Sequence, residues 1–266
     1  MFIGNKEFLE NNTYICGILN VTPDSFSDGG LHNTLDGALY HVEKMISEGM
    51  DLVDIGGEST RPGYTKISDE EEISRVVPVI EAINKRFDIP ISLDTYKSQV
   101  AKAGIEAGAD LINDIWGCKY DYNMAKVIAE SNVACCLMHN RDNTEYKDFM
   151  SDVVSDLEES VRIARIAGIA DDKIILDPGV GFAKNYEQNI IVMQQMEKIN
   201  DLGFPVLLGC SRKSVIGLTL ELPASERLEG TLVTSVLAVQ KGAMFVRVHD
   251  VEANRRAVKM AKALFV

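Results

Sequence analysis

The sequence contains no Cys-x-x-Cys pair, no Gly-x-x-x-x-Gly-Lys segment and no Gly-x-Gly-x-x-Gly after its first apolar run. Zinc-ribbon and dithiol redox chemistry, P-loop nucleotide binding and dinucleotide binding therefore lose their usual sequence support. Cysteine is scarce, and its odd count of five gives no disulfide framework, so a reduced, cytoplasmic setting is the simplest expectation. Basic residues are outnumbered, 27 Lys and Arg against 40 Asp and Glu, for a net charge of -13. Such a surface argues against nucleic-acid binding, which needs phosphate-neutralising cations, but leaves room for a local cation cluster on a small anionic ligand. Long hydrophobic runs are absent too, and Met1 to Glu7 lacks an apolar signal core, so no membrane partner is expected. Trp116 is the only tryptophan and reads as packing.

What is present is a rhythm. Eight short apolar runs each stop on a polar or glycine residue, and helix-like stretches of about 15 residues separate them. The runs are Tyr14 to Leu19 before Asn20, Leu52 to Ile55 before Gly56, Ile91 to Leu93 before Asp94, and Leu111-Ile112 before Asn113. They continue with Val133 to Met138 before His139, Ile174 to Leu176 before Asp177, Val206 to Leu208 before Gly209, and Phe245 to Val248 before His249. Unbroken apolar strands alternating with helices favour a parallel sheet covered on both faces. Eight units predict a closed (β/α)8 TIM barrel with its active site at the C-terminal ends of the strands. The 266-residue length and 46% hydrophobic content suit one barrel domain spanning 1–266.

The helices have their own signals. Leu35, Ala38, Leu39, Val42, Met45 and Ile46 form a helical stripe. Ser68 is placed to cap a helix whose first turn is Asp69-Glu70-Glu71-Glu72, where acids meet the positive end of the helix dipole. Cys135 and Cys136 should point to opposite faces of their strand and act as core residues. Two connections are richer in Gly, Pro, Ser and Asp than ordinary turns: Val21 to Gly30, and Gly56 to Gly63. At the catalytic end of a barrel such connections are expected to act as lids.

The chemistry gathers at the strand ends. Arg247 and His249 lie two apart in an extended run, so they share a face and suit a phosphate or pyrophosphate. A structural Arg at this place would need its charge compensated. Gly209 to Ser214 adds Arg212 and Lys213 at the start of a helix. Asp94, Asn113 and Asp177 end three other strands and together offer acceptors and a donor. A flat heterocycle with amino and ring N–H groups beside a carbonyl fits this set; a sugar or a metal ion held by carboxylates remains open on residue types alone.

Two segments, Ile18 to Gly30 and Asp54 to Gly63, resemble the signature loops of the dihydropteroate synthase family, pterin-binding TIM barrels. Ser92 to Lys97, Asp177 to Phe182, Ser211 to Ser214 and Arg247 to Asp250 match in order, so the resemblance covers residues 14 to 266. Asn140-Arg141-Asp142-Asn143 and Ala183 depart from many members and resemble a Gram-positive branch, which leaves the role of that loop open.

The resemblance implies condensation of 6-hydroxymethyl-7,8-dihydropterin pyrophosphate with 4-aminobenzoate to give 7,8-dihydropteroate and pyrophosphate, a step of folate biosynthesis and a sulfonamide target. By the same carry-over Asp94, Asp177, Lys213, Arg247 and His249 are the catalytic set. Thr60, Asn113, Met138 and Val248 join them around the pterin pyrophosphate, and Arg61, Pro62, Phe182 and Ser214 receive aminobenzoate. Mg2+ is expected near Asn20 and Asp28, and a homodimer through outer helices is the family expectation. Three rivals use some of these residues: a pterin-dependent methyltransferase to a corrinoid, a Schiff-base aldolase centred on Lys213, and a non-catalytic pterin-binding paralogue. The first does not need both signature loops or Ser211-Arg212-Lys213, and the last would be expected to have lost some of them.

Overall fold

The computed structural model describes residues 1–22, 30–58 and 66–265, apart from the side chains of 30–34. A hairpin of β1 (Phe2–Ile3) and β2 (Lys6–Glu7) precedes the barrel strands. These are β3 (Tyr14–Asn20), β4 (Leu52–Gly56), β5 (Ile91–Asp94), β6 (Leu111–Asp114), β7 (Ala134–Met138), β8 (Ile174–Asp177), β9 (Leu207–Leu208) and β10 (Phe245–Val248). Among the described residues they form one eight-stranded sheet in the order β8-β7-β6-β5-β4-β3-β10-β9, with every pairing parallel. The two edges meet where Leu176 pairs with Val206 and its N–H donates to Pro205 O at 2.9 Å, closing the barrel. The expected (β/α)8 architecture is therefore present.

Strand parity divides the core. Ile15, Val53, Leu93, Ile112, Leu137 and Val246 face outward and pack with the helices in one large cluster. Cys16, Leu52, Leu111, Cys136, Ile175 and Phe245 face inward and form a second cluster with Ile3 and Phe8. The N-terminal hairpin thus plugs the end of the barrel opposite the catalytic end, a role the strand rhythm did not announce, because two-residue strands carry no periodic pattern. Cys135 and Cys136 fall in different clusters, as alternation requires. All five cysteines are buried and unpaired.

The outer layer contains α1 (Gly30–Ser47), α2 (Asp69–Arg86), α3 (Ser98–Ala107), α4 (Met124–Ser131) and α5 (Phe149–Ala167), followed by α6 (Tyr186–Gln194), α7 (Glu197–Asn200), α8 (Ser214–Leu220), α9 (Leu228–Gln240) and α10 (Val251–Phe265). Ser68 Oγ accepts from Glu71 N–H at 3.2 Å, the predicted cap of α2. Asp148 caps α5 in the same way at 2.9 Å. Several helices are shorter than the sequence rhythm suggests, among them α3 with 10 residues and α4 with 8. The chain saved there runs over the strand ends, where Ile115 and Trp116 join Tyr96, Met138 and Phe182 in a small cluster near the mouth. Among the described residues no helix is long and apolar enough to cross a membrane.

Candidate active site

Register assembles the mouth. Asn20 pairs with Gly56, Gly56 with Asp94, and Asp94 with Asn113, so four adjacent strands present these positions in one layer. On the other side Met138 pairs with Asp177. Two inward positions are glycine, and each leaves space between functional groups. A Cβ on Gly56 would lie 3.6 Å from Asn20 Oδ1 and 3.8 Å from Asp94 Cβ; one on Gly209 would lie 3.6 Å from Asp177 Oδ2 and 3.9 Å from Arg247 Cβ.

The floor of the mouth is an ionic network. Arg247 reaches inward from β10, donating through Nε to Asp54 Oδ2 at 2.5 Å and through Nη2 to Asp94 Oδ2 at 2.8 Å. Ser92 Oγ donates to the second oxygen of Asp54 at 2.5 Å. Two carboxylates thus share one cation: Asp54 is fully buried, while the Arg247 and Asp94 side chains keep 19% and 11% exposure at the mouth. Burial pushes the Asp94 carboxyl up to about 7, only partly offset by the guanidinium and reinforced by the Asp54 carboxylate. Burial alone would lower Arg247, but Asp54 and Asp94 hold it charged, well above its usual value. A structural Arg here was disfavoured for want of compensation; Asp54 and Asp94 supply it.

Asp54 was not among the expected site residues. Its signal is visible in retrospect: a charged residue inside the apolar run Leu52 to Ile55, at the inward parity of Gly56. It is fully buried.

Beside the floor, Asp177 is 5% exposed and its Oδ1 accepts from Gly179 N–H at 2.7 Å. Burial raises its carboxyl, with Lys213 and the Gly179 N–H pulling the other way. Lys213, at the start of α8, donates to Val180 O and sits 4.7 Å from the centre of the Phe182 ring. Burial lowers its ammonium, while Asp177 favours the charged form. Phe182 and Met138 pack in one small cluster, so an apolar surface adjoins the polar one. Ser214 opens α8 and is exposed.

Further round, Ser211 Oγ accepts the His249 N–H at 3.2 Å and lies 3.0 Å from the ring Nδ1. Asn20 and His249 border a cavity of about 560 Å3 that His41, Lys44 and Arg212 also line. Arg212 is not an open cation: its guanidinium forms two hydrogen bonds to Asp250, at 3.0 and 2.6 Å.

The structure brings Asp94, Asn113, Met138, Asp177, Phe182, Lys213, Arg247 and His249 to one end of the barrel, with Asn20 in the same layer. Val248 faces outward in the helix-packed core, 1% exposed, so only its main chain faces the mouth. Asp28, Thr60, Arg61 and Pro62 lie outside the described residues. Reasoning from strand ends also passed over His139, Asp156 and Lys184. His139 Nε2 lies 3.0 Å from Asp156 Oδ2 and its Nδ1 lies 2.7 Å from Lys184 Nζ. Burial lowers His139 to about 4 and Lys184 to about 7.

Comparison with known proteins agrees with this geometry. The family described as pterin binding enzyme matches residues 16–249. A dihydropteroate synthase of Clostridium beijerinckii is 62% identical over 262 residues, 98% of this chain and 97% of the relative. A Clostridium difficile dihydropteroate synthase, crystallised in the presence of pteroic acid, superposes with a TM-score of 0.95 at 48% identity, covering 97% of this chain and 99% of that one. The Xanthomonas albilineans enzyme with 4-aminobenzoic acid gives 0.91 at 40% identity, covering 95% and 93%. A barrel closed at Leu176, a polar layer from Asn20 to Asn113, and full-length likeness at this level of identity lead to one assignment: the chain belongs to the dihydropteroate synthase family of pterin-binding enzymes.

Proposed function

We infer that this mouth condenses 6-hydroxymethyl-7,8-dihydropterin pyrophosphate with 4-aminobenzoate, releasing pyrophosphate and 7,8-dihydropteroate. The observation that carries the reading is the convergence of Asp94, Asn113 and Asp177 on a mouth whose only nearby apolar wall includes Phe182, among the described residues. The carboxyls accept from the amino and ring N–H groups of a pterin, and the Asn113 amide supplies the complementary donor and acceptor. The network of Asp54, Arg247 and Asp94 has one carboxyl in excess of cations, which a donor-rich heterocycle completes.

The reaction breaks the bond from the pterin methylene carbon to the pyrophosphate oxygen and forms one from that carbon to the aniline nitrogen, which then sheds a proton. Positive charge develops on the pterin as the anion leaves, and Asp94 and Asp177 face that charge. Arg247, with N–H donors beyond the two engaged by carboxylates, and the His249 imidazole hold the departing anion. Lys213 acts as a donor held by Val180 O and Asp177, which fits hydrogen bonding better than Schiff-base chemistry. Phe182 offers the aminobenzoate ring an apolar seat, Met138 lies beside the pterin, and together they keep water from the developing cation.

Mg2+ fits this arrangement on the evidence of its donors. Asn20 Oδ1 is a hard oxygen at the rim, and among the described residues no three His, Cys, Asp or Glu side chains gather to hold a metal by themselves. Such a site suits an ion that keeps several waters and binds substrate phosphates, and when bound it would neutralise charge on the leaving group. Asp28, its other expected ligand, is outside the described residues. Exposed Leu218 of α8, Val233 of α9 and Met260 and Leu264 of α10 support a homodimer through these helices, which sedimentation would test. The unpaired cysteines support a cytoplasmic setting, and the net charge of -13 supports small-molecule rather than nucleic-acid partners.

The decisive experiment supplies purified protein with dihydropterin pyrophosphate, Mg2+ and labelled aminobenzoate, and follows dihydropteroate by chromatography. Product dependent on all three components is expected; its absence refutes the reading.

A further inference from the structure

After β8 the chain makes a turn, 178–183, that delivers both Asp177 and Phe182 to the mouth. The turn is tight. Gly179 has φ +68°, and a Cβ there would come within 2.0 Å of His139 O, so no other residue lets the turn pass the end of β7. Four of its carbonyls, and that of Lys184 just after it, are held by side chains. Lys213 takes Val180 O from the mouth side, Tyr146 OH donates to Ala183 O at 2.7 Å, and Asn189 donates to Lys184 O at 3.2 Å.

Two more, Gly179 O and Phe182 O, belong to Lys184. Its Nζ, buried beneath the turn, donates to Gly179 O and to Phe182 O, each at 3.1 Å. The third direction of the ammonium meets His139 Nδ1 at 2.7 Å. An ammonium has three donors and no acceptor, so this geometry uses it completely. With Nδ1 accepting, the hydrogen of the neutral His139 ring lies on Nε2 and is donated to Asp156 on α5, at 3.0 Å. Asp156 in turn accepts from Arg141 Nε at 2.5 Å. One line of hydrogen bonds therefore runs from a rigid outer helix, through the end of β7, to the two carbonyls that set the direction of Asp177 and Phe182.

We propose that Lys184, oriented by His139 and Asp156, is a positioning residue that holds the 178–183 turn so that the Asp177 carboxyl and the Phe182 ring face the same mouth. The proposal rests on the reading that Asp177 binds the pterin and Phe182 the aminobenzoate. Gly179 makes the coupling direct: its N–H is held by Asp177 and its carbonyl by Lys184, so releasing one side frees the other. Lys184 reaches neither substrate; it acts through the turn.

The test is Lys184→Met, which keeps the length and the buried volume and removes all three donors. Per active site, KM for aminobenzoate should rise about tenfold and pterin affinity should fall severalfold, while kcat at saturation changes less than about threefold. Asp156→Asn, remote from the mouth and on a helix that keeps its cap, should move the same constants in the same direction by a smaller factor. The double variant should be no worse than Lys184→Met alone, because both act through one line of contacts. A lowered melting temperature with unchanged KM and pterin affinity in both single variants would overturn the proposal and leave Lys184 a stabilising residue only. Additive losses would break the link to Asp156 and equally overturn it. Wild-type protein assayed alongside keeps the two ideas apart: if it forms no dihydropteroate, the function is wrong, whereas product from wild type with unaltered variants refutes the positioning role alone.

Discussion

Adjacent strands β4 and β5 feed two clusters of one cation and two carboxylates, one buried and one partly open to the mouth, and the two end differently. Lys97, just past β5, donates to Glu58 and Glu72 at 2.8 Å each and to Ile67 O at 2.8 Å. Glu58 is completed by the Tyr96 hydroxyl at 2.6 Å and the Ile67 N–H at 2.9 Å. Every donor of Lys97 has a protein acceptor, so this cluster is closed and fastens the start of α2 to the strand ends. Arg247 has the same count of carboxylates, Asp54 and Asp94, but lies at the floor of the mouth and retains donors beyond those two bonds. Equal charge counts thus serve different ends: satisfaction within the protein gives rigidity, while an incomplete set gives a binding site. Burial raises Glu72 as well, yet Lys97 is held charged by both acids above its usual value.

The contrast predicts which property each cluster controls. Lys97→Met should have the largest effect, a loss of about 3–5 kcal/mol of stability, because it strands two carboxylates that are buried together. Urea unfolding measures it; a loss below about 1 kcal/mol would mean that the closed cluster is not what holds α2. Asp177→Asn should follow, weakening a pterin analogue by roughly 2–4 kcal/mol in calorimetric titration, with wild-type affinity removing Asp177 from the site.

Arg247→Ala should reduce turnover per active site more than about tenfold, since its contact with the leaving anion strengthens as charge develops. Arg247→Lys should recover only part of this, an ammonium lacking the planar fork, and His249→Ala should lose less than Arg247→Ala. If Arg247→Ala lowered only the melting temperature, the two clusters would be alike and both structural.

The smallest effect is a proton. Free Asp94 titrates near 7, and pterin N–H donors favour its ionised form, so binding should release up to about one proton per site at pH about 6 and nearly none above about 8. Affinity is then full above about 7 and weakens as the pH falls below it. Calorimetry in buffers of different ionisation heat reads the release directly, and its persistence in Asp94→Asn would assign it to another group.

Much of the mouth was legible because a barrel strand has a two-residue period and a defined end. Asp94, Asn113 and Asp177 follow apolar runs, and a parallel barrel gathers such ends at one face whatever the details of packing. The pairing of charges was less legible. Arg247 stands 153 residues from Asp94 and 193 from Asp54, and no local pattern joins them. Arg212 shows the same limit from the other side: as a cation after a strand it looked available, and Asp250, 38 residues on, takes it.

Eight buried strands, their alternating faces and the polar residues at their ends were set by local pattern, since side-chain parity and hydrophobic period act within a few residues. Closure at Leu176 and Pro205, the hairpin under the barrel, the sharing of Arg247 between two carboxylates and the reach of Lys184 to His139 were decided only in three dimensions. Each depends on groups far apart in the chain meeting where water is excluded, and there an ionisable side chain takes whichever partner the packing puts within reach.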